Sequence, residues 1–376
     1  MIYCRSSFFL FPIFAYLLTS LMPDILHGKK EATQKEIDLI IDSIPQPVPP
    51  KKKYKVLVFS KAYTFYHTSI NVAKEMAKQL GERTGLFETE FSEDANDLSY
   101  ENLKQYDAVY LNNSTSIERG LTDEKMREGF IEYVRDGGGI VAIHAATDGG
   151  WPEYVDMIGG NFDGHPWGHE GTYCLCNEDP RHPIVRDIFD GNLSFNLNDE
   201  LYQYKDFDRE KVRVLLSIDM SKFKNHRGGR KREDNDYAMA WIKSFGKGRI
   251  FVSSPGHNHH IYWNKDILKM WYEGFRFALG EIEVDTSTKP KPAYALPPKE
   301  GERNPSTRFK TPEESQASFK LQNGYSMELV ADNPLVTEPT VCVWDGNGRM
   351  YVAEWRTYMQ DIEGSGTSDP VSQVIR

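Results

Sequence analysis

With 376 residues, 39% of them hydrophobic, the chain can bury one sizeable α/β core and carry something smaller beside it. Its net charge of -10 argues against non-specific nucleic-acid binding, which needs a basic face to displace counterions. The basic run from Lys222 to Arg232 accordingly reads as a solvated loop, and no nucleic-acid partner is expected.

Arg5 and the apolar run Phe8 to Leu18 predict a secretory signal over residues 1–27, hence a periplasmic or extracellular protein. No clean small-x-small cleavage site follows, which leaves an uncleaved membrane tether through the N-terminus as the alternative, although the run is short for a full span. Residues 28–53 are polar and then rich in proline and lysine (Pro45, Pro47, Pro49, Pro50, Lys51 to Lys53), the composition of a linker. The α/β domain is expected over 54–282.

Lys55 to Ser60 reads as a first buried strand, followed by a loop carrying His67 and a helix with Ile70, Ala73, Ala77 and Leu80 on one face, capped by Thr68 or Ser69. Phe87 to Phe91 and Asp107 to Asn112 supply the next strands. A helix opened by Thr122-Asp123-Glu124 then runs to the glycines at Gly137. Ile140 to Ile143, between those glycines and His144-Ala145-Ala146-Thr147-Asp148-Gly149-Gly150, reads as a central parallel strand ending in a tight turn. The alternation of strand and helix is that of a doubly wound sheet.

Trp151 to Ile158 predicts a short helix, and the irregular stretch around His165, Trp167 and His169 a long loop of the functional kind. Further strands are expected over Asp199 to Tyr204 and Val212 to Ser217. Ala238 to Ile242 and Arg249 to Ser254 should form a hairpin whose second strand leads to His257, before a closing helix from Trp263 to Leu279. Residues 283–315, dense in Lys, Pro and Glu, read as a second linker with little packed against it. Beyond them, in 316–376, Gly346-Asn347-Gly348 between two apolar runs signals a hairpin at the start of a larger, truncated β segment.

His67, His144, His165 and His257 arise from separate loops, three of them after predicted strands, and the crevice at the carboxyl ends of such strands is where α/β proteins bind ligands. Imidazoles there suit proton transfer near neutral pH. With Glu200 or Asp148 they equally suit a divalent metal, in which His257 would join His67 and His144. His144, His67 and Glu200 are therefore the candidate catalytic residues, with Glu200 expected at a rim position. His165, Asp148 and the neighbouring Trp151 and Trp167, as a stacking platform for a sugar ring, are the candidate substrate-binding residues. His259 and His260 are adjacent candidates, and His182 and His226 read as surface. Cys174 and Cys176 are too close to pair easily and read as thiols of one strand face rather than a metal pair. The turn after the central strand offers a histidine where a hydrolase of this architecture would carry its nucleophile, and Walker, GxGxxG, HExxH and CxxCH motifs are absent.

Phe65-Tyr66-His67, Ala142 to Asp148, Gly159-Gly160-Asn161-Phe162 with His165-Pro166-Trp167, Asp199-Glu200-Leu201-Tyr202, and Gly248 to Phe251 with Gly256-His257 together resemble the ThuA-like family of trehalose-utilisation proteins. The resemblance implies a flavodoxin-like three-layer sandwich with a mostly parallel sheet, akin to class I glutamine amidotransferases, and a link to disaccharide or oxidised-sugar metabolism. It implies no glutaminase activity, because the amidotransferase cysteine is absent. The tail from about Phe319 resembles the opening of a sorbosone/glucose dehydrogenase-like β-propeller. The expectation is thus an exported domain that hydrolyses or isomerises a disaccharide or keto-sugar by histidine acid/base chemistry or a bound metal. The alternative is a non-catalytic carbohydrate-binding module presenting substrate to the rest of that propeller.

Overall fold

Apolar runs too short for amphipathic helices become strands when both sheet faces are covered. In the computed structural model Tyr54–Phe59 (β1), Ala108–Asn112 (β3) and Gly139–Ile143 (β4) are such strands, with Phe87–Ser92 (β2) outside β1. Between them lie helices α2 (Ile70–Thr84), α3 (Tyr100–Leu103) and α4 (Glu124–Arg135), with α1 (Gln34–Ser43) ahead of β1. Asp123 caps α4 by accepting from the Lys125 N–H. The structure describes residues 30–168, 171–222, 229–292, 311–322, 324–332, 335–357 and 370–376; the expected signal over 1–27, His169 and His226 lie outside them.

After β4 the chain forms α5 (Pro152–Ile158), β5 (Asn161–Phe162), β6 (Thr172–Asn177), β7 (Ser194–Asn198), β8 (Tyr204–Lys205), β9 (Arg213–Ile218), β10 (Ala238–Phe245), β11 (Gly248–Ser253) and α6 (Lys265–Ala278). One nine-stranded sheet results, in the order β2-β1-β3-β4-β11-β10-β9-β6-β7. The first five run parallel, and β10, β9, β6 and β7 continue the sheet antiparallel. The parallel half has the 2-1-3-4-5 order of doubly wound sheets, whose binding crevice opens at the carboxyl ends of the strands beside β1 and β3.

Three sequence expectations change. Residues 28–53 are not all linker: α1 starts with a capping box in which Thr33 and Glu36 satisfy each other's backbone N–H groups, and it buries Ile40 completely. Asp199 to Gln203 is irregular rather than strand, and only Tyr204–Lys205 pairs, with β5. The start of the second linker is held to the domain, because Arg213 bonds Asp285 at 2.7 Å and Lys289 bonds Asp179 at 2.7 Å. The Cys174 and Cys176 side chains are buried on β6. Farther on, α7 (Pro312–Ala317) precedes β12 (Pro339–Trp344), β13 (Met350–Glu354) and β14 (Gln373–Ile375), a small antiparallel sheet.

Candidate active site

Three strand ends deliver three histidines to one point. His67 sits in the loop between β1 and α2, His144 directly after β4, and His257 in the loop after β11. Ring centroids separate His67 from His144 by 4.9 Å, His67 from His257 by 5.1 Å and His144 from His257 by 5.3 Å. Glu200, from the irregular segment after β7, completes the group. Its Oε2 lies 3.1 Å from His257 Nδ1 and 3.4 Å from His144 Nε2, while His165 Nδ1 approaches its other oxygen at 3.4 Å.

Each side chain is held in place. His144 adopts φ 52°, left-handed backbone that costs a β-carbon residue free energy. Its Nδ1 lies 2.7 Å from the Ser254 carbonyl oxygen, which can only accept, so Nδ1 carries a proton and Nε2 is the ring atom that faces Glu200 and His257. The Tyr202 ring covers His144 with centroids 4.1 Å apart. The His257 loop is fixed by Asp199, whose carboxylate accepts from the N–H groups of Gly256 (2.6 Å), His257 (3.3 Å) and Asn258 (2.8 Å). Ser69, expected as a helix cap, makes no capping bond to α2 and instead donates to the Gly256 carbonyl at 3.4 Å.

Burial and proximity set the electrostatics. Burial, reinforced by His144 and His257, pushes the His67 imidazole down to about 2, so it is neutral. Burial opposes ionisation of Glu200, but the hydrogen bonds with His144 and His257 outweigh it and hold the carboxyl well below the usual range. Burial also lowers His257, and the Glu200 carboxylate overcomes it, so that imidazole is raised. Asp148 is pushed up, first by burial and then by Glu118.

Above the cluster opens a cavity of about 430 Å³, walled by Phe65, Phe162 and Tyr202 and floored by His67, Glu200 and His257, with Asp148 and His165 at its sides. The model of the ThuA family, described as trehalose utilisation, matches residues 55–278. The chain belongs to the ThuA family.

The ThuA domain is similar to solved ThuA-like proteins. One from Bacteroides uniformis is 22% identical, covers 62% of this chain and 95% of its own, and superposes with a TM-score of 0.51. Another, from Parabacteroides merdae, is 22% identical, with 65% and 95% covered and a TM-score of 0.46. The first supports the α/β fold described above. A second family model, a domain of unknown function, matches residues 311–376; it names no propeller. No curated protein matches the chain.

Of the residues singled out in the sequence, the ThuA domain gathers His67, His165, His257, Glu200 and Asp148 around one cavity, while His144 is fully buried and does not line it but meets His67, Glu200 and His257 behind that lining. Glu200, expected at a rim, is buried. Trp151 and Trp167 are not among the residues lining the cavity. Trp151 packs against Tyr154 and Phe130 at 5.2 and 6.3 Å beneath the Arg127 guanidinium, and Trp167 meets Tyr237 edge-on at 4.9 Å. His259 pairs with Glu36 of α1 at 2.7 Å, and His260 Nε2 lies 2.7 Å from the Asn198 carbonyl oxygen. His182, expected at the surface, is buried, with Nε2 3.2 Å from the Asp285 carbonyl oxygen. The walls Phe65, Phe162 and Tyr202 and the loop anchor Asp199 carried no site role in the sequence reading. Their signal was their place inside the same short motifs as the histidines.

Proposed function

We propose that the ThuA domain processes a sugar, hydrolysing or isomerising a disaccharide or keto-sugar. His144, His67 and Glu200 form its reacting centre, and Asp148 and His165 are the groups that meet the sugar. One observation carries this reading: a group of imidazoles with a carboxylate lies under a pocket with aromatic walls. Aromatic faces pack the apolar faces of sugar rings, imidazole and carboxylate exchange protons with hydroxyl and carbonyl groups, and the cavity volume falls in the range of small-molecule sites. The family's link to trehalose utilisation supports the substrate class. Export, expected from the N-terminal apolar run, belongs to the same proposal and is tested by fractionating cells that express the full chain.

The test is a screen of trehalose, other disaccharides and their 3-keto forms with the purified chain. Turnover of one of them is expected, and His144→Ala should lower kcat by about 10²-fold or more while sugar affinity changes far less. Binding without turnover by the wild-type chain would instead establish a carbohydrate-binding module, and absence of any sugar ligand would refute the proposal.

A further inference from the structure

We propose that His67, His144, His257 and Glu200 hold a single divalent transition-metal ion of the zinc class, with a further position open toward the cavity for a sugar oxygen. Only the identity of that incoming oxygen rests on the sugar reading; the ion rests on the geometry.

His144 Nε2, His257 Nδ1 and Glu200 Oε2 form a triangle with sides of 3.3, 3.4 and 3.1 Å. Donors at zinc bond lengths of about 2.0 to 2.1 Å in a tetrahedron stand about 3.3 Å apart, so the triangle is already the face of a metal polyhedron. One nitrogen of His67 joins it, and all four donor atoms lie within 4.8 Å of one another.

Hydrogen bonds within the protein account for only part of this cluster. The Ser254 carbonyl engages His144 Nδ1, which leaves His144 Nε2 directed inward at Glu200 Oε2 and His257 Nδ1. His67 is 3% exposed, and its Nδ1 has no hydrogen-bond partner. A buried polar atom without a partner calls for an explanation such as an ion. A cation at the centre of the triangle is within reach of all three inward atoms together.

The surroundings are those of a metal ligand set. A histidine ligand usually gives its other N–H to a carbonyl or carboxylate, which orients the ring, as His144 does with Ser254. Asp199 fixes the backbone that carries His257. Three nitrogens with one oxygen favour zinc, nickel, copper or iron over magnesium or calcium. His67, Glu200 and His257 also line the cavity, so a zinc-class ion expanding to five ligands would take its fifth from that side.

The full chain, stripped with a chelator, is titrated with Zn²⁺ and, for a visible signal, Co²⁺. About one equivalent should bind, with the visible absorption of low-coordinate Co²⁺. His144→Ala and Glu200→Gln should each weaken binding about 100-fold or more, since loss of an outer partner alone costs 10–100-fold. His260→Ala should leave stoichiometry and affinity unchanged, and circular dichroism checks that each variant is folded. If His144→Ala does not fold, the isosteric Glu200→Gln decides. Binding below about a tenth of an equivalent, or binding that Glu200→Gln leaves intact, overturns the proposal. A chain that binds metal but turns over no sugar leaves the metal centre standing and removes the sugar reading; a metal-free chain that turns over sugar does the reverse.

Discussion

At the scale of single residues, the site depends on two backbone positions. Gly256, at φ 150°, passes so close to the histidine turn that a methyl group there would meet Ile143 Cγ2 at 2.5 Å and His144 Cβ at 3.0 Å. Gly256→Ala should therefore cost about 1–3 kcal/mol, read as a lower midpoint in urea, with His257 displaced from Glu200. His144 has the converse problem, a side chain on left-handed backbone at φ 52°. Such a residue costs about 1–2 kcal/mol that glycine does not, against the 0.5–1 kcal/mol of extra chain entropy that glycine loses on folding. His144→Gly should thus unfold at slightly higher urea than His144→Ala, although neither variant retains the site. The opposite order would show that the turn is unstrained. These features also mark the limit of sequence reading: a histidine after a buried strand is visible in the chain, whereas a positive φ at a non-glycine residue is not.

At the scale of elements, the N-terminal helix is the clearest addition. The proline and lysine content of residues 28–53 hid α1, but the Thr33-to-Glu36 spacing of its capping box was present in the chain. Its one fully buried apolar side chain, Ile40, yields too weak a periodicity to be read. Ile40→Ala should destabilise the domain by about 2–4 kcal/mol in chemical unfolding, and no change would return the segment to a linker. A second element-scale anchor is Arg209, which bonds Glu178 and Asp236 at 2.6 Å each ahead of β9. Burial raises the Asp236 carboxyl, but Arg209 outweighs it and holds the group below its ordinary 3.8. A folded-state value below the unfolded one means that the contribution to stability is complete above about pH 4 and is lost as pH falls through the lower folded value. Asp236→Asn should therefore cost about 3 kcal/mol at neutral pH, and the gap from wild type should narrow on acidification below pH 4. A gap independent of pH would assign the loss to packing alone.

At the scale of the molecule, the histidines are far apart in the chain and adjacent in space because the parallel strands β1, β4 and β11 all end on one side of the sheet. That convergence was legible from apolar runs followed by His67, His144 and His257. Glu200 was legible as a site residue but not in its setting, since alternation suggested a strand where the chain is irregular and buried. Trp151 and Trp167 misled for a related reason: closeness in sequence to a functional loop does not fix the direction of a side chain, and both rings pack elsewhere. The walls that replace them, Phe65, Phe162 and Tyr202, come from three separate segments.

The central claim is that His144 and Glu200, brought together from the ends of different elements, act as one centre. The most direct measurement is a double-mutant cycle on kcat/KM for the sugar that the screen identifies, using His144→Ala, Glu200→Gln and the two combined. Groups that act as a unit are strongly non-additive, so the double variant should be about as slow as the worse single one. Losses that multiply independently would contradict the account and separate the two residues into unrelated roles.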